Sequence, residues 1–272
     1  MKKDITLLIL LCLNSVCIVA CPERIKEFYT TYLTNVLQDD FKNTDLCKAY
    51  LTEGLIEKVD RLINATGIDP ILRAQDTNRD AIETLSVEEL TNDWYLVKYF
   101  WKKGDANSII EIPLKAQDVN GVCKITYITP IWNKLQYGDE LLTCKDGKIG
   151  KIDQTSPLSF LKSFYNAYVS EYCDMPEGLN AKLSSLRSRY LSNKALEQFK
   201  NAESENLKDG LAGYDRLIDN FDFDCLWCKT IQFTHLNGDD YQMTYQVAKK
   251  TYKVGITLKK KGNSFLIDGL LF

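Results

Sequence analysis

The stretch Phe28-Tyr29-Thr30-Thr31-Tyr32-Leu33 returns later in the chain as Phe164-Tyr165-Asn166-Ala167-Tyr168-Val169. Other matches follow in the same order. Tyr50-Leu51-Thr52 pairs with Tyr190-Leu191-Ser192, and Ile56, Glu57 and Val59 pair with Leu196, Glu197 and Phe199. Asp69, Ile71, Leu72 and Asp76 fall opposite Asp215, Leu217, Ile218 and Asp222. Tyr95, Val97 and Tyr99 fall opposite Tyr241, Met243 and Tyr245, and Ile110, Ile112 and Leu114 opposite Val254, Ile256 and Leu258. An ordered series of weak matches with small gaps argues for two copies of one unit, not for a many-repeat solenoid.

Each copy begins with helical spacing. Ile25, Phe28, Tyr29, Tyr32, Leu33 and Val36 fall on one face of a helix over 23–38, and Phe160, Leu161, Phe164, Tyr165 and Tyr168 do the same after Ser156-Pro157. Serine followed by proline is a helix start: a capping hydroxyl, then a residue with no amide to satisfy. Thr52 and Ser192 are expected to cap a further helix in each copy. The later part of each copy alternates instead, through Tyr95, Val97, Tyr99 and Trp101 and through Tyr241, Met243, Tyr245 and Val247. Lys103-Gly104-Asp105, Asn120-Gly121 and Gly262-Asn263 supply turns. Helices followed by an antiparallel meander predict an α+β fold in two tandem domains, each with N-terminal helices packed on one face of a curved antiparallel sheet. The expected limits are 1–20 for a leader, 21–150 for the first domain and 151–272 for the second, with the linker near 146–156.

The N-terminus has the form of an export signal. Met1-Lys2-Lys3 precedes an apolar run from Ile5 to Ala20, shorter than the roughly 20 apolar residues that span a bilayer. Ile18-Val19-Ala20-Cys21 resembles a bacterial lipobox. That resemblance implies lipidation at Cys21 and a membrane partner through the lipid anchor, on the periplasmic or surface face of a Gram-negative membrane.

With 45% hydrophobic and 26% charged residues the body is globular. A formal net charge of −3 offers no basic excess for phosphate contacts, so no nucleic acid is expected as a partner. Beyond Cys21 the body holds Cys47, Cys123, Cys144, Cys173, Cys225 and Cys228. Exported proteins form disulfides, but the pairing cannot be chosen from sequence. Cys123 with Cys144 is one plausible pair, and Cys225 or Cys228 with Cys173 another. The role of Cys47 is open.

Tyr50-Leu51-Thr52, Asp69-Pro70-Ile71-Leu72-Arg73-Ala74-Gln75-Asp76 and the closing meander together resemble an uncharacterised family of exported Gram-negative proteins. Its members are commonly assigned to the cone-shaped α+β fold of nuclear transport factor two and the ketosteroid isomerases. The second copy departs from the pattern, with Arg216 in place of the proline and Phe221 in place of the glutamine. The resemblance implies a fold, two tandem cone-like domains, and no activity.

Asp69, Gln75, Asp76, Asp215 and Asp222 are the candidate cleft residues, because acids beside a cone cavity can serve as general bases. Asp69-Pro70 equally suits a helix start, a capping carboxylate before proline. Cys225-Leu226-Trp227-Cys228 has redox spacing, but the alternation of Thr230-Ile231-Gln232-Phe233-Thr234 suggests a strand next to it. His235 is the one histidine, so a histidine metal site is not expected, and neither a phosphate loop nor a dinucleotide-binding glycine pattern occurs. No cofactor and no metal are expected. The sequence is read as a non-enzymatic binding or accessory module of the cell envelope, with an unknown envelope protein or small ligand as partner. The alternatives are a cleft-based isomerase or hydrolase using a carboxylate such as Asp76, and an immunity protein that blocks a toxin.

Overall fold

A computed structural model describes residues 20–39, 43–130, 137–138 and 151–271. Residues 1–19 of the expected leader, Cys144 and residues 146–150 of the expected linker lie outside these residues. The described elements run in one order twice. First come α1 (Cys21–Leu37), α2 (Asn43–Tyr50), α3 (Glu53–Thr66), α4 (Arg79–Glu83), β1 (Ser86–Glu89), β2 (Trp94–Phe100), β3 (Ile109–Val119) and β4 (Val122–Ile128). Then come α5 (Pro157–Asp174), α6 (Leu179–Tyr190), α7 (Asn193–Lys208), α8 (Cys225–Cys228), β5 (Gln232–Asn237), β6 (Asp240–Val247), β7 (Lys250–Lys261) and β8 (Ser264–Leu271). The fold is α+β, with two four-stranded antiparallel sheets ordered β1-β2-β3-β4 and β5-β6-β7-β8.

The helices form where the apolar spacing places them. α1 buries Ile25, Phe28, Tyr29, Tyr32 and Leu33, and α5 buries Phe160, Leu161, Phe164, Tyr165 and Tyr168. Ser156 Oγ accepts the amide of Ser159 at 3.1 Å, with Pro157 opening α5. Ser192 likewise caps α7 through Ala195 N. Thr52 stands at the start of α3, but its hydroxyl makes no capping bond. Its backbone amide instead donates to Ile125 O, as that of Ser192 does to Ile267 O. The Tyr-Leu break before each of these helices is therefore held by the sheet: Leu51 bridges to Ile125 and Leu191 to Ile267.

Against each sheet the inward side chains of the central strands meet the helices. Tyr95, Val97 and Tyr99 of β2 face Leu114, Ile112 and Ile110 of β3, and Met243 and Tyr245 of β6 face Val254 and Tyr252 of β7. The pairing sets Ile110, Ile112 and Leu114 opposite Tyr252, Val254 and Ile256, two residues from the sequence alignment, and in that register both sheets bulge at one corresponding place, between Lys115 and Ala116 and between Thr257 and Leu258. A bulge bends the strand and raises its twist, which curves the sheet around its helices.

The two halves share a buried boundary. α3 turns Leu55 and Val59 toward the N-terminal core, while Leu62 and Ala65 join the C-terminal one. Trp94 and Tyr127, on the far side of the first sheet, pack edge to face with centroids 5.8 Å apart and are covered by Met175 and Leu226. At Gly54 a Cβ would sit 2.6 Å from the carbonyl oxygen of Met175, so only glycine permits this approach.

Candidate functional site

The expected cleft acids fall into three environments. Asp69 does not start a helix. Residues 70–73 form a turn closed by a bridge between Asp69 and Ala74, and Arg73 stands at φ 55°, in the left-handed region where a helix cannot continue. Asp69 Oδ1 accepts the amide of Ile71 at 2.8 Å, and Oδ2 accepts the hydroxyl of Tyr32 at 2.8 Å. Burial raises the carboxyl above its ordinary value, partly offset by those hydrogen bonds. Asp215 builds the same turn: it bridges to Asn220, accepts Leu217 N at 2.8 Å, and is followed by Asp219 at φ 51°. Tyr99 and Tyr245 complete both turns by donating to the carbonyls of Leu72 and Ile218.

Gln75 and Asp76 are exposed, and Asp76 Oδ1 accepts the amide of the adjoining Thr77 at 2.7 Å. A desolvated, inward-facing acid is what proton abstraction in a cleft requires, and Asp76 is not one. Asp222, at the corresponding position, is fully buried, but it faces the other half of the chain. Its Oδ2 lies 2.7 Å from Lys58 Nζ and its Oδ1 3.0 Å from Arg61 Nε.

Lys58 is the centre of the boundary and was not singled out by the sequence. Its side chain is 0% exposed, and it also donates to Phe223 O at 3.1 Å and approaches Asp224 Oδ2 at 3.6 Å. Burial works against its charge, but Asp222 and then Asp224 outweigh it and hold its pKa above the usual lysine value. Asp224 responds in the opposite sense: burial raises its pKa more than Lys58 and the Leu226 amide lower it. The shorter contact decides between them, so Lys58 and Asp222 form the ion pair. Asp224 serves as the N-cap of α8, through Leu226 N, and as the acceptor for Tyr127 Oη at 3.0 Å.

The two Asp turns differ in what surrounds them. Asp69 accepts one tyrosine hydroxyl, that of Tyr32, and beside it stands Cys47, whose thiol is pushed up to about 12 by burial, then by Asp69 and Asp60. Beside Asp215 stand Tyr168 at 2.6 Å and Tyr172 at 2.7 Å. Arg187 takes the place of Cys47, three residues before the Tyr-Leu pair. It donates to Tyr168 Oη at 2.7 Å and lies 3.7 Å from Asp215. This second cluster opens onto a cleft of about 190 Å³ that Asp215, Arg187 and Tyr172 help to line. A neighbouring cleft of about 360 Å³ runs on to Arg61, Glu57 and Asn64 of α3. Neither contains Asp69, Gln75, Asp76 or Asp222.

The sulfurs differ from both expected pairings. Cys123 bonds to Cys21, not to Cys144, because β4 runs beside the start of α1 and brings their Cα atoms to 5.5 Å. The Sγ that a lipid anchor would use is the atom in this disulfide, and one sulfur cannot hold both bonds. Cys228 is disulfide-bonded, but not to Cys173, whose Sγ makes only a non-covalent contact with it at 3.8 Å. Cys225 is a buried thiol at the start of the four-residue helix α8, the expected strand follows as β5 from Gln232, and burial raises the Cys225 pKa well above the ordinary value. A reactive redox cysteine needs the reverse. His235 is exposed on β5 and contacts Gly238 O at 2.9 Å. Among the described residues no group of His, Cys, Asp and Glu is arranged to hold a metal ion, and no helix is long and apolar enough to cross a membrane.

No protein-family model and no curated protein matches the sequence. Among solved structures the chain is similar to a protein of unknown function from Bacteroides thetaiotaomicron VPI-5482, with 36% identity over 40% of this chain and 88% of that one, and a TM-score of 0.37. It is also similar to an NTF2-like protein involved in plasmid conjugation, with 13% identity over 92% of this chain and 94% of that one, and a TM-score of 0.21.

Proposed function

We propose that the protein is an exported, non-enzymatic binding or accessory module of the cell envelope, built of two copies of one domain at 21–150 and 151–272, with recognition in the second copy. One observation carries this reading: the Asp turn of the second copy has gained Tyr172 and Arg187 and opens onto a cleft, whereas its counterpart around Asp69 lines none of the described clefts. Export is supported by the leader-like N-terminus and by the Cys21–Cys123 disulfide, a bond of oxidising compartments. Because that bond occupies the Cys21 sulfur, the module is read without a thioether lipid on Cys21.

An acid–base enzyme is the weaker reading. Asp215 is committed to two tyrosine hydroxyls and a backbone amide, and Asp76 to its neighbour's amide. The test is thermal unfolding of the purified protein against size-fractionated envelope extract. A saturable rise in Tm that Arg187→Ala removes is expected. Turnover of any extract component that Asp215→Asn abolishes would overturn the proposal.

A further inference from the structure

The clefts of about 360 and 190 Å³ share Tyr172, Asn180, Ala212 and Gly213. They are two chambers of one groove, which begins at α3, crosses the end of α5 and passes between α6, α7 and the 211–214 loop. On the binding reading given above, its chemistry narrows the ligand. We propose that this groove takes an uncharged, polyhydroxylated chain, an oligosaccharide.

The charges in the groove are already balanced from within. Arg61 is held by Asp222 at 3.0 Å, with Glu57 at 3.9 Å. Arg187 is held by Tyr168 and Asp215, and Glu203 adds a further negative charge near it. With Lys58, which shares Asp222, three cations stand against these four carboxylates, so a phosphate or carboxylate ligand meets no unspent cation and a small surplus of its own sign. A purely apolar chain fares no better, because it would cover the exposed amides of Asn64 and Asn180 without giving them partners.

What suits the groove is a neutral group that donates and accepts at once. Each asparagine amide does both, and so does a hydroxyl. Asn64 on α3 and Asn180 on α6 stand on different walls, so hydroxyls along one chain can meet both. Between them, Gly178 and Gly213 adopt φ 71° and 84° and carry no Cβ, which leaves backbone open to the ligand. The half-buried rings of Phe221 and Tyr214, 5.0 Å apart, give the apolar faces of a sugar something to lie against. The walls are helices and a loop, so an extended peptide finds no strand edge with which to pair.

The test is titration of the ¹⁵N-labelled mature protein with maltohexaose, cellohexaose, xylohexaose and chitohexaose, each to millimolar concentration. A glycine-serine hexapeptide and inorganic phosphate serve as parallel probes. At least one hexasaccharide should shift amides at 178–180 and 211–214 saturably. Asn180→Ala, an exposed change, should weaken it about fivefold, the worth of one hydrogen bond. Ala212→Trp, also exposed, should abolish it by filling the passage between the chambers. Silence from all four sugars overturns the proposal. A response to the peptide or to phosphate alone overturns the ligand class but leaves the binding reading standing. Sugar binding accompanied by new reducing ends leaves the site standing and overturns the non-enzymatic reading.

Discussion

Lys58 Nζ lies 2.7 Å from Asp222 Oδ2 across the boundary between the two halves, and neither side chain is exposed to solvent. Each comes from a different copy of the repeat. Removing one member of such a pair leaves the other charge buried alone, which costs about 3–5 kcal/mol. Lys58→Ala should therefore lower the urea-unfolding free energy by about that amount. Lys58→Met with Asp222→Asn should recover most of it, since an apolar or neutral replacement of the whole pair is often tolerated. A loss below about 1 kcal/mol for Lys58→Ala would show that the pair is not the lock between the halves.

The same boundary predicts that the copies do not separate cleanly. Expressed alone, residues 151–272 lose Leu62 and Ala65 from their core and Lys58 from Asp222 and Asp224. The whole protein should unfold in one calorimetric transition, and the isolated half should lack a cooperative one. Two resolved transitions in the intact chain would contradict this.

Tyr32 and Tyr168 occupy equal positions with unequal duties. Tyr32 donates to Asp69 alone, while Tyr168 donates to Asp215 and accepts from Arg187. Tyr168→Phe should cost about 1–3 kcal/mol, because it leaves a buried guanidinium short of an acceptor, and Tyr32→Phe about 0.5–1.5 kcal/mol. Equal losses in chemical denaturation would deny the second copy its extra interaction.

Cys47 should be slow to alkylate although it is only half-buried. With its pKa raised from 9.0 to about 12, the thiolate at pH 8 is roughly a thousandfold scarcer than for an ordinary thiol. The folded state thus holds this proton more tightly than the unfolded one. The stability contributed is complete below about pH 9 and is lost as pH rises through about 12. Iodoacetamide labelling of the native protein followed by peptide mapping measures the rate. Labelling of Cys47 at the rate of the urea-unfolded protein would refute the shift.

Cys21 and Cys123 close a loop with a sequence separation of 102 residues, and a loop of that length corresponds to at most about 4–5 kcal/mol of chain-entropy stabilisation. Cys21→Ser and Cys123→Ser should destabilise equally, and the double variant no more than either. Intact-mass analysis of the protein from native envelopes should find this bond and no acyl chains. A diacylglycerol mass on Cys21 would show that the sulfur is spent on a lipid instead.

The long elements were legible because each carries its own period. The apolar faces of α1 and α5 repeat at helical spacing, and β2 and β6 alternate. The Ser156-Pro157 start was legible as local chemistry. The Asp69 turn was harder, because a carboxylate before proline suits a helix start as well, and only the bridge to Ala74 and the left-handed Arg73 decide it. The boundary between halves was not legible, since it joins positions that do not correspond in the repeat. One signal did exist: Lys58 falls on the apolar stripe of Leu55, Val59 and Leu62, where a lysine needs a reason. Arg187 gave a similar hint, one turn before the Tyr-Leu break.

That boundary is also directional. It sets α3 of the first copy against the 221–224 segment of the second, so the copies meet head to tail and not about a two-fold axis. A head-to-tail contact between like units has no built-in end and propagates into a fibre wherever both of its faces remain available. Here both are blunted. The counterpart of Lys58 in the second copy is Gln198, whose side chain is turned to the amide of Leu270, and the counterpart of Asp222 in the first is the exposed Asp76. Neither free face therefore carries the partner that would repeat the Lys58–Asp222 pair with a further copy, and the head-to-tail contact is satisfied once, inside the chain.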